Sequence, residues 1–142
     1  MNKHTPAKPI ILCIDDDQDT CELLSFWLHN NGFEIMTARK CADAQELARL
    51  SRYDLIIIDR YLPDCDGLSL CKEMHDLHPF IPIIFETADA RSSIRQEAFQ
   101  AGANAFIEKP IDLELLVETI RRLLIDRPQA QSGDQTSPEV SI

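Results

Sequence analysis

The feature that most constrains the fold is the alternation of short apolar runs with longer amphipathic segments, repeated five times along the chain. Two of the short runs, residues 10–14 and 55–58, are apolar at every position. Strands that are apolar on both faces belong in the middle of a parallel sheet covered by helices on both sides. The remaining strand-like runs are residues 33–37, 81–85 and 105–107.

The segments between these runs have the spacing of amphipathic helices. The last one, beginning at Leu113, places apolar residues at i, i+3, i+4 and i+7, and Asp112 precedes it as an N-cap. Gly32 and Gly102 stand where helix C-caps would fall. Five strand–helix units predict an α/β protein with a doubly wound, five-stranded parallel sheet.

Composition narrows the classes of function. The 142 residues carry 24 acidic and 14 basic side chains, a net charge of −10, which argues against direct nucleic-acid binding. No apolar run reaches the roughly 18–20 residues that span a bilayer. The N-terminus lacks the pattern of a signal peptide, so we expect a cytoplasmic protein without a membrane association. We expect an N-terminal extension over residues 1–7, one domain over 8–126, and a disordered tail or linker stub over 127–142.

The five cysteines are an odd number, and none belongs to a C-x-x-C pair. We expect reduced thiols that pack as small apolar residues rather than a disulfide framework. Cys71, His75 and His78 lie on one predicted helix at spacings that allow metal sharing. Nothing nearby completes a tetrahedral set, so we do not predict a metal site there.

Polar residues follow the predicted strands at their carboxyl ends, where open α/β sheets bind ligands. Three consecutive aspartates (residues 15–17) follow the first strand, Asp59 follows the third, Thr87 the fourth and Lys109 the fifth. Each has a simple structural alternative: helix capping for an aspartate, which we prefer for Asp17 or Asp19, a turn for the threonine, and solvation for the lysine. Their convergence at one sheet edge favours a functional site.

Four motifs in this order resemble those of the receiver domain of bacterial response regulators. They are Ile-Leu-Cys-Ile-Asp-Asp-Asp at residues 11–17, Asp-Leu-Ile-Ile-Ile-Asp-Arg-Tyr-Leu-Pro-Asp-Cys-Asp-Gly at 54–67, Phe-Glu-Thr-Ala at 85–88 and Ala-Phe-Ile-Glu-Lys-Pro at 105–110. The resemblance covers roughly residues 8–126. It implies the CheY-like, flavodoxin-like sheet with strand order 2-1-3-4-5, in which strands one and three are neighbours.

The resemblance also implies residue roles. Asp59 matches the phosphoacceptor, which takes a phosphoryl group from a histidine kinase or a histidine phosphotransferase. Asp15 and Asp16 match the acidic pair that holds Mg²⁺, with Mn²⁺ as an alternative; Asp16 would be the direct ligand, and Asp15 would act partly through water. Tyr61, two residues past the acceptor, would offer its backbone carbonyl to the metal.

Three further positions match the signalling machinery of the family. Thr87 matches the hydroxyl that hydrogen-bonds the phosphoryl group, and Lys109 matches the ammonium that pairs with it. The Lys109–Pro110 bond is often cis in the family. Phe106 matches the aromatic switch position, and its structural alternative is a permanently buried core ring.

We also hypothesise roles around this site. Bulk at Tyr61 and charge at Asp89 would tune the lifetime of the phosphorylated state, and Arg60 would contact a kinase or phosphotransferase, or screen the acids. The face formed by residues 91–126, with arginines at 91, 95, 121 and 122, would bind a downstream protein or form a self-dimer. The protein would catalyse only its own phosphorylation and dephosphorylation, and so would not be an enzyme in the usual sense.

Two alternatives compete with this interpretation. Asp-x-Asp after a strand also resembles the nucleophile motif of haloacid-dehalogenase-type phosphatases, but Asp19 stands where that motif has threonine and residues 59–67 would go unexplained. A pseudo-receiver would lack the acceptor, the acidic pair or the lysine, and all are present here. The chain is also compatible with a fragment of a longer regulator or a hybrid kinase.

Overall fold

The computed structural model describes residues 7–89 and 91–126. Most of the predicted N-terminal extension and the whole of the predicted tail, residues 127–142, lie outside the described residues. None of the helices in the described part of the chain combines the length and the apolarity needed to cross a membrane.

Five parallel strands form one sheet in the order β2-β1-β3-β4-β5, as expected. The predicted runs were correct to within two residues at either end. Residues 55–58 in β3 are buried at every position and residues 10–14 in β1 at all but the first, which explains why these two runs are continuously apolar. The strands are β1 (Ile10–Ile14), β2 (Glu34–Ala38), β3 (Leu55–Asp59), β4 (Ile83–Thr87) and β5 (Ala105–Glu108).

Five helices alternate with the strands and cover both faces of the sheet. They are α1 (Gln18–Asn30), α2 (Cys41–Leu50), α3 (Gly67–Leu77), α4 (Ser92–Gln100) and α5 (Leu113–Asp126). Buried residues of α2, α3 and α4 share one apolar cluster with the sheet. Those of α1 and α5 form the opposite cluster. The sheet is therefore a central layer, and its carboxyl edge is left to the loops.

Local sequence signals set the helix ends. Asp17 caps α1 by accepting a hydrogen bond from the Thr20 amide at 2.9 Å, which confirms the capping role preferred for that residue. Asp112 accepts from the Leu115 amide at 3.1 Å at the start of α5. Gly32 and Gly102, with φ of +97° and +112°, take the left-handed conformation that follows a helix end.

The cysteine prediction was correct for three residues and wrong for two. Cys13, Cys21 and Cys71 are free and buried, as expected. Cys41 and Cys65 form a disulfide across a sequence separation of 24 residues, with a Cα–Cα distance of 6.1 Å. The spacing gave no sign of this pair because only the folded topology brings the start of α2 against the loop that follows β3.

One arginine assigned to the face of residues 91–126 points elsewhere. Arg121 donates to the Asn31 carbonyl at 3.0 Å and lies over the Phe33 ring at 5.8 Å, so it packs on the α1–β2 side. Neighbouring residues on a helix point about 100° apart, so Arg121 and Arg122 cannot share one face.

Candidate functional site

The carboxylates predicted to converge do so at the carboxyl edge of the sheet. Strands β1 and β3 are neighbours with Ile14 opposite Ile58, so the residues that follow them in register, Asp15 and Asp59, lie side by side. Carboxylate oxygens of Asp15, Asp16 and Asp59 all lie within 4.8 Å of one another. Asp15 and Asp59 are buried, whereas Asp16 is exposed. Such a set of oxygens suits a hard divalent cation.

Among the histidine, cysteine, aspartate and glutamate side chains of residues 7–89 and 91–126, these three aspartates form the group that is close enough to share a metal ion. Cys71, His75 and His78 do not form such a group in that part of the chain. The Cys71 sulfur contacts the Ala101 carbonyl, and His75 packs directly against Gly102.

Lys109 reaches into the acidic cluster from the end of β5. Its ammonium lies 2.9 Å from Oδ2 of Asp15 and 3.1 Å from Oδ1 of Asp59. Its backbone amide donates to the Thr87 carbonyl at 2.9 Å, and the peptide bond to Pro110 is cis. Burial by itself would lower the pKa of Lys109, but the neighbouring carboxyl groups, Glu86 first among them, outweigh burial and raise it. The lysine is therefore a permanent cation at this edge.

The electrostatics of Asp59 are set by burial and by like charge. Burial first, and then the charge of Asp15, raise the pKa of Asp59 from its ordinary 3.8 to about 6, although Lys109 acts in the opposite direction. Asp59 is consequently ionised at neutral pH but pays an electrostatic cost for it. A cation placed among the three carboxylates would relieve that cost.

Glu86 is a buried acid beside this cluster that the sequence analysis missed. It stands opposite Asp59 in the β3–β4 register and is 1% exposed. Its Oε1 has no hydrogen-bond partner among the described residues. Burial, and then the charge of Asp15, raise the pKa of Glu86 well above its usual value. The available signal was a glutamate directly after the apolar run of residues 81–85 and before Thr87, since a glutamate is almost never fully buried unless its charge is paired.

The loop between β3 and α3, residues 60–66, is called here the acceptor loop. Tyr61 in this loop is 59% exposed, with the Arg60 guanidinium 5.2 Å from its ring centre. Asp66 closes the loop by capping α3 through the Leu68 amide at 2.9 Å. Gly67 is needed here because a Cβ would collide with the Asp59 carbonyl and with the backbone of Arg60.

Thr87 lies at the end of β4, and Phe106 lies in the neighbouring strand β5. Thr87 is fully buried, and its hydroxyl accepts from the Asp89 amide at 3.1 Å. Phe106 is half-buried and stacks on Phe85 at a centroid distance of 6.1 Å, with the Arg95 guanidinium 5.3 Å from its ring centre. The ring is thus neither wholly internal nor free in solvent.

Asp89 lies at the rim, where its charge is paired. Arg91 contacts both of its carboxylate oxygens, at 2.6 and 2.8 Å. The hydrogen bond from Arg91 lowers the pKa of Asp89 to about 2. The site therefore has an ion pair, rather than a free negative charge, on the β4–α4 side.

Comparison with known proteins decides the family. The family model for the response regulator receiver domain matches residues 11–121 of this chain. The chain belongs to the response regulator receiver family. Members of this family are the phosphoaccepting switches of two-component systems, whose partner is a histidine kinase, and they bind Mg²⁺ at an acidic aspartate cluster. In this chain Asp15, Asp16 and Asp59 form a group of acidic side chains.

Individual relatives agree with this assignment of the receiver domain. The transcriptional regulatory protein SrrA of Staphylococcus aureus is 34% identical over 128 residues, which are 90% of this chain and 52% of that protein. The chain thus spans about half the length of the curated relatives it matches. A two-component response regulator from Clostridium difficile superposes with a TM-score of 0.81 at 30% identity, covering 84% of this chain and 98% of that one. The CheY-like receiver protein from Methanospirillum hungatei gives 0.81 at 28% identity, covering 84% and 95%.

Proposed function

We propose that this receiver domain accepts a phosphoryl group on Asp59 from a histidine kinase or a histidine phosphotransferase. The observation that carries the proposal is the position of the Asp59 carboxylate, in contact with Lys109 at 3.1 Å and grouped with Asp15 and Asp16. It combines a nucleophile, a fixed cation and a set of metal-binding oxygens at one sheet edge. The phosphatase alternative, with Asp15 as nucleophile, is disfavoured because it leaves Asp59 and residues 60–67 without a role, and because the receiver family matches residues 11–121.

In the proposed reaction an Asp59 oxygen attacks the phosphorus of a phosphohistidine. The N–P bond breaks, its electron pair returns to the imidazole, and an aspartyl phosphate forms. The Lys109 ammonium then pairs with a phosphoryl oxygen, a charge-assisted contact of about twice the strength of a neutral hydrogen bond. Within this chain only Asp59 changes its covalent bonds, so the protein would act as an enzyme only upon itself.

Asp15, Asp16 and Asp59 would hold Mg²⁺, or Mn²⁺, together with the backbone carbonyl of Tyr61. The donor set fits, because these are hard oxygen ligands at a site with excess negative charge. When bound, the ion would neutralise charge on the transferring phosphoryl group.

The output would follow from contacts that change on phosphorylation. The Thr87 hydroxyl, which accepts from the Asp89 amide in this structure, would turn to donate to the phosphoryl group. Phe106 would then move inward, and Arg95, which lies over both Phe106 and Phe99, would transmit the movement to α4. We propose that the face within residues 91–126 binds a downstream protein or a second copy on this signal.

The phosphorylation proposal is tested by intact mass after incubation with acetyl phosphate. Wild type with Mg²⁺ should gain one phosphoryl group, and chelation of the metal should abolish the gain. Asp59→Asn should gain none, whereas Asp76→Asn, the same change on an exposed carboxylate near the end of α3, should behave as wild type. Uptake by Asp59→Asn, or a folded wild type that neither takes up phosphate nor binds beryllofluoride, would contradict the proposal.

We propose further that Tyr61 and Asp89 set the lifetime of the aspartyl phosphate. The exposed Tyr61 ring would restrict the approach of water, and the Asp89–Arg91 ion pair would order the opposite rim. Tyr61→Ala should therefore shorten the half-life of the phosphorylated protein, measured by loss of the phosphoryl mass after desalting. An unchanged half-life would refute the steric part of this proposal.

The boundaries of the unit and its location are also proposals. We propose that residues 8–126 form the receiver domain, with 1–7 as an extension and 127–142 as a tail or linker, and that the protein works in the cytoplasm. The negative charge of −10 supports an output through protein contacts rather than through direct binding of nucleic acid.

A further inference from the structure

The disulfide between Cys41 and Cys65 lies at the functional edge of the molecule. Cys41 is the first residue of α2, and Cys65 belongs to the acceptor loop, six residues after Asp59. The bond therefore joins the segment that follows the phosphoacceptor to a helix on the neighbouring part of the sheet. A change at this bond acts directly on the loop.

A second, non-covalent link ties the same two segments. The Asp64 carboxylate accepts hydrogen bonds from the backbone amides of Cys41 at 2.7 Å and Ala42 at 2.9 Å. Asp64 thus caps α2 although it lies in the acceptor loop, and these bonds lower its pKa. Exposed hydrogen bonds of this kind contribute modestly on their own. The covalent bond is what holds the acceptor loop against α2.

The other cysteines are poor candidates for thiol chemistry. Cys13, Cys21 and Cys71 are buried, and burial raises the pKa of Cys21 to about 11 and of Cys71 to about 12. Their thiolates are scarce at neutral pH, and the thiolate is the reactive form. Among the described residues, thiol chemistry is therefore concentrated at the pair of Cys41 and Cys65.

The two sulfurs of the pair have different environments. Cys65 is half-buried at the surface, whereas Cys41 is 3% exposed, so an external thiolate reaches Cys65 first. Cys41 stands at the N-terminus of α2 and directly after Lys40, both of which favour a departing thiolate, whereas the Asp64 carboxylate at the same helix end opposes it. The difference in exposure therefore sets the order of attack, with Cys65 as the sulfur attacked and Cys41 as the sulfur that leaves.

We propose that Cys41 and Cys65 are a reversible thiol–disulfide modification site that controls the order of the acceptor loop. In the reducing direction a dithiol attacks Cys65, the Cys41 thiolate leaves and takes up a proton, and the second thiol of the reductant displaces Cys65. The protein gains two electrons and two protons, and the dithiol becomes a disulfide. A low-molecular-weight disulfide such as oxidised glutathione reverses the reaction by two exchanges and is itself reduced to two thiols.

The proposed cytoplasmic location makes reversibility the natural outcome. Disulfides in that compartment are mostly transient, catalytic or redox-sensing. The oxidised form would hold the acceptor loop in the position described above. The reduced form would keep the Asp64 hydrogen bonds to α2 but lose the covalent link between the loop and that helix, and would so slow phosphoryl uptake. This last consequence rests on the function proposed for Asp59, but the thiol chemistry does not.

The experiment compares full-length protein treated with oxidised glutathione or with dithiothreitol and then desalted. Alkylation and peptide mapping should show a bond between residues 41 and 65 in the first sample and two additional reactive thiols in the second. Hydrogen-exchange mass spectrometry should show faster amide exchange over residues 60–68 after reduction. The double variant Cys41→Ser/Cys65→Ser should exchange like the reduced protein in both samples, whereas Cys71→Ala should respond as wild type does.

Three results would overturn the proposal. They are the absence of the 41–65 bond after oxidation, equal exchange of the acceptor loop in both samples, and a bond that dithiothreitol cannot reduce in the folded protein. Uptake of phosphate from acetyl phosphate should be slower after reduction, and equal rates would refute the regulatory consequence. A lack of uptake in both samples, with the exchange difference present, would count against the function of Asp59 and leave the thiol site supported.

Discussion

Replacing Asp59 with asparagine should stabilise the metal-free protein at neutral pH. The side chain keeps its size and one carbonyl oxygen, but the charge that burial and Asp15 oppose is removed. Lys109 loses one partner and retains Asp15 at 2.9 Å. A substitution at the proposed phosphoacceptor is thus expected to abolish phosphoryl uptake while strengthening the fold.

The size of this effect follows from the proton affinity of Asp59. Its pKa is raised from 3.8 to about 6, and each tenfold change in proton affinity corresponds to about 1.4 kcal/mol. The gain in unfolding free energy from Asp59→Asn therefore has an upper limit of about 3 kcal/mol. Solvent access at the rim of the site reduces the expected gain to about 1–2 kcal/mol.

The pH dependence gives the prediction its sign. An acid whose pKa is raised in the folded state holds its proton more tightly there than in the unfolded chain, so folding loses stability as pH rises. For Asp59 the loss begins near the unfolded value of 3.8 and is complete above about 6. The advantage of Asp59→Asn should be small at pH 4, grow between pH 4 and 6, and then stay constant.

Urea unfolding of wild type and Asp59→Asn in the presence of a chelator, from pH 4 to 8, measures the difference in their unfolding free energies. Asp76→Asn is the matched control and should show little gain at any pH, because its carboxylate is exposed and its contact with Lys72 is a surface ion pair. No gain for Asp59→Asn at pH 8, or a gain of equal size at pH 4, would refute the reasoning.

Four other outcomes are expected. Gly67→Ala should cost about 1–3 kcal/mol in urea unfolding, because the added Cβ meets the backbone of Asp59 and Arg60; an unchanged midpoint would contradict the packing described. Glu86→Gln should raise the melting temperature at pH 8 but not near pH 4.5, since the pKa of Glu86 is raised by burial; a gain independent of pH would argue against this origin. Ile57 is fully buried in β3, so Ile57→Ala should lower the free energy of unfolding, measured in urea, by about 2–5 kcal/mol. Reduction of the disulfide, which closes a loop of 24 residues, should cost about 3 kcal/mol of unfolding free energy, and an unchanged midpoint would show that the bond constrains little.

The sequence predicted the sheet and the acidic edge well because both depend on short-range pattern. Continuous apolar runs identified strands inside the sheet. Because parallel strands present their carboxyl ends at one edge, the sequence alone also predicted that Asp15, Asp59 and Lys109 lie close together. The strand order itself came from the resemblance to receiver domains. Apolar periodicity alone does not decide which strands are neighbours.

The features that the sequence did not predict depend on long-range packing. Cys41 and Cys65 meet only because β1 and β3 are neighbours and the acceptor loop turns towards α2. The orientation of Arg121 towards Asn31 depends on the rotation of α5 about its axis, which its apolar stripe fixes only approximately. Glu86 was overlooked because strand patterns are read from their apolar members, and a single buried acid interrupts such a pattern only slightly.

The charge balance at the sheet edge also explains why this fold can act as a switch. Lys109 contacts Asp15 and Asp59, but one ammonium cannot neutralise these two carboxylates together with that of Asp16. The free protein therefore carries an electrostatic cost, visible in the raised pKa of Asp59. A divalent cation would relieve that cost, whereas a phosphoryl group alone would increase it, so we expect the two to bind in a mutually dependent way. In the function proposed here the fold gives up stability at Asp59 and ligands at that edge would recover it, so that a local change of charge would shift the conformation of the whole domain.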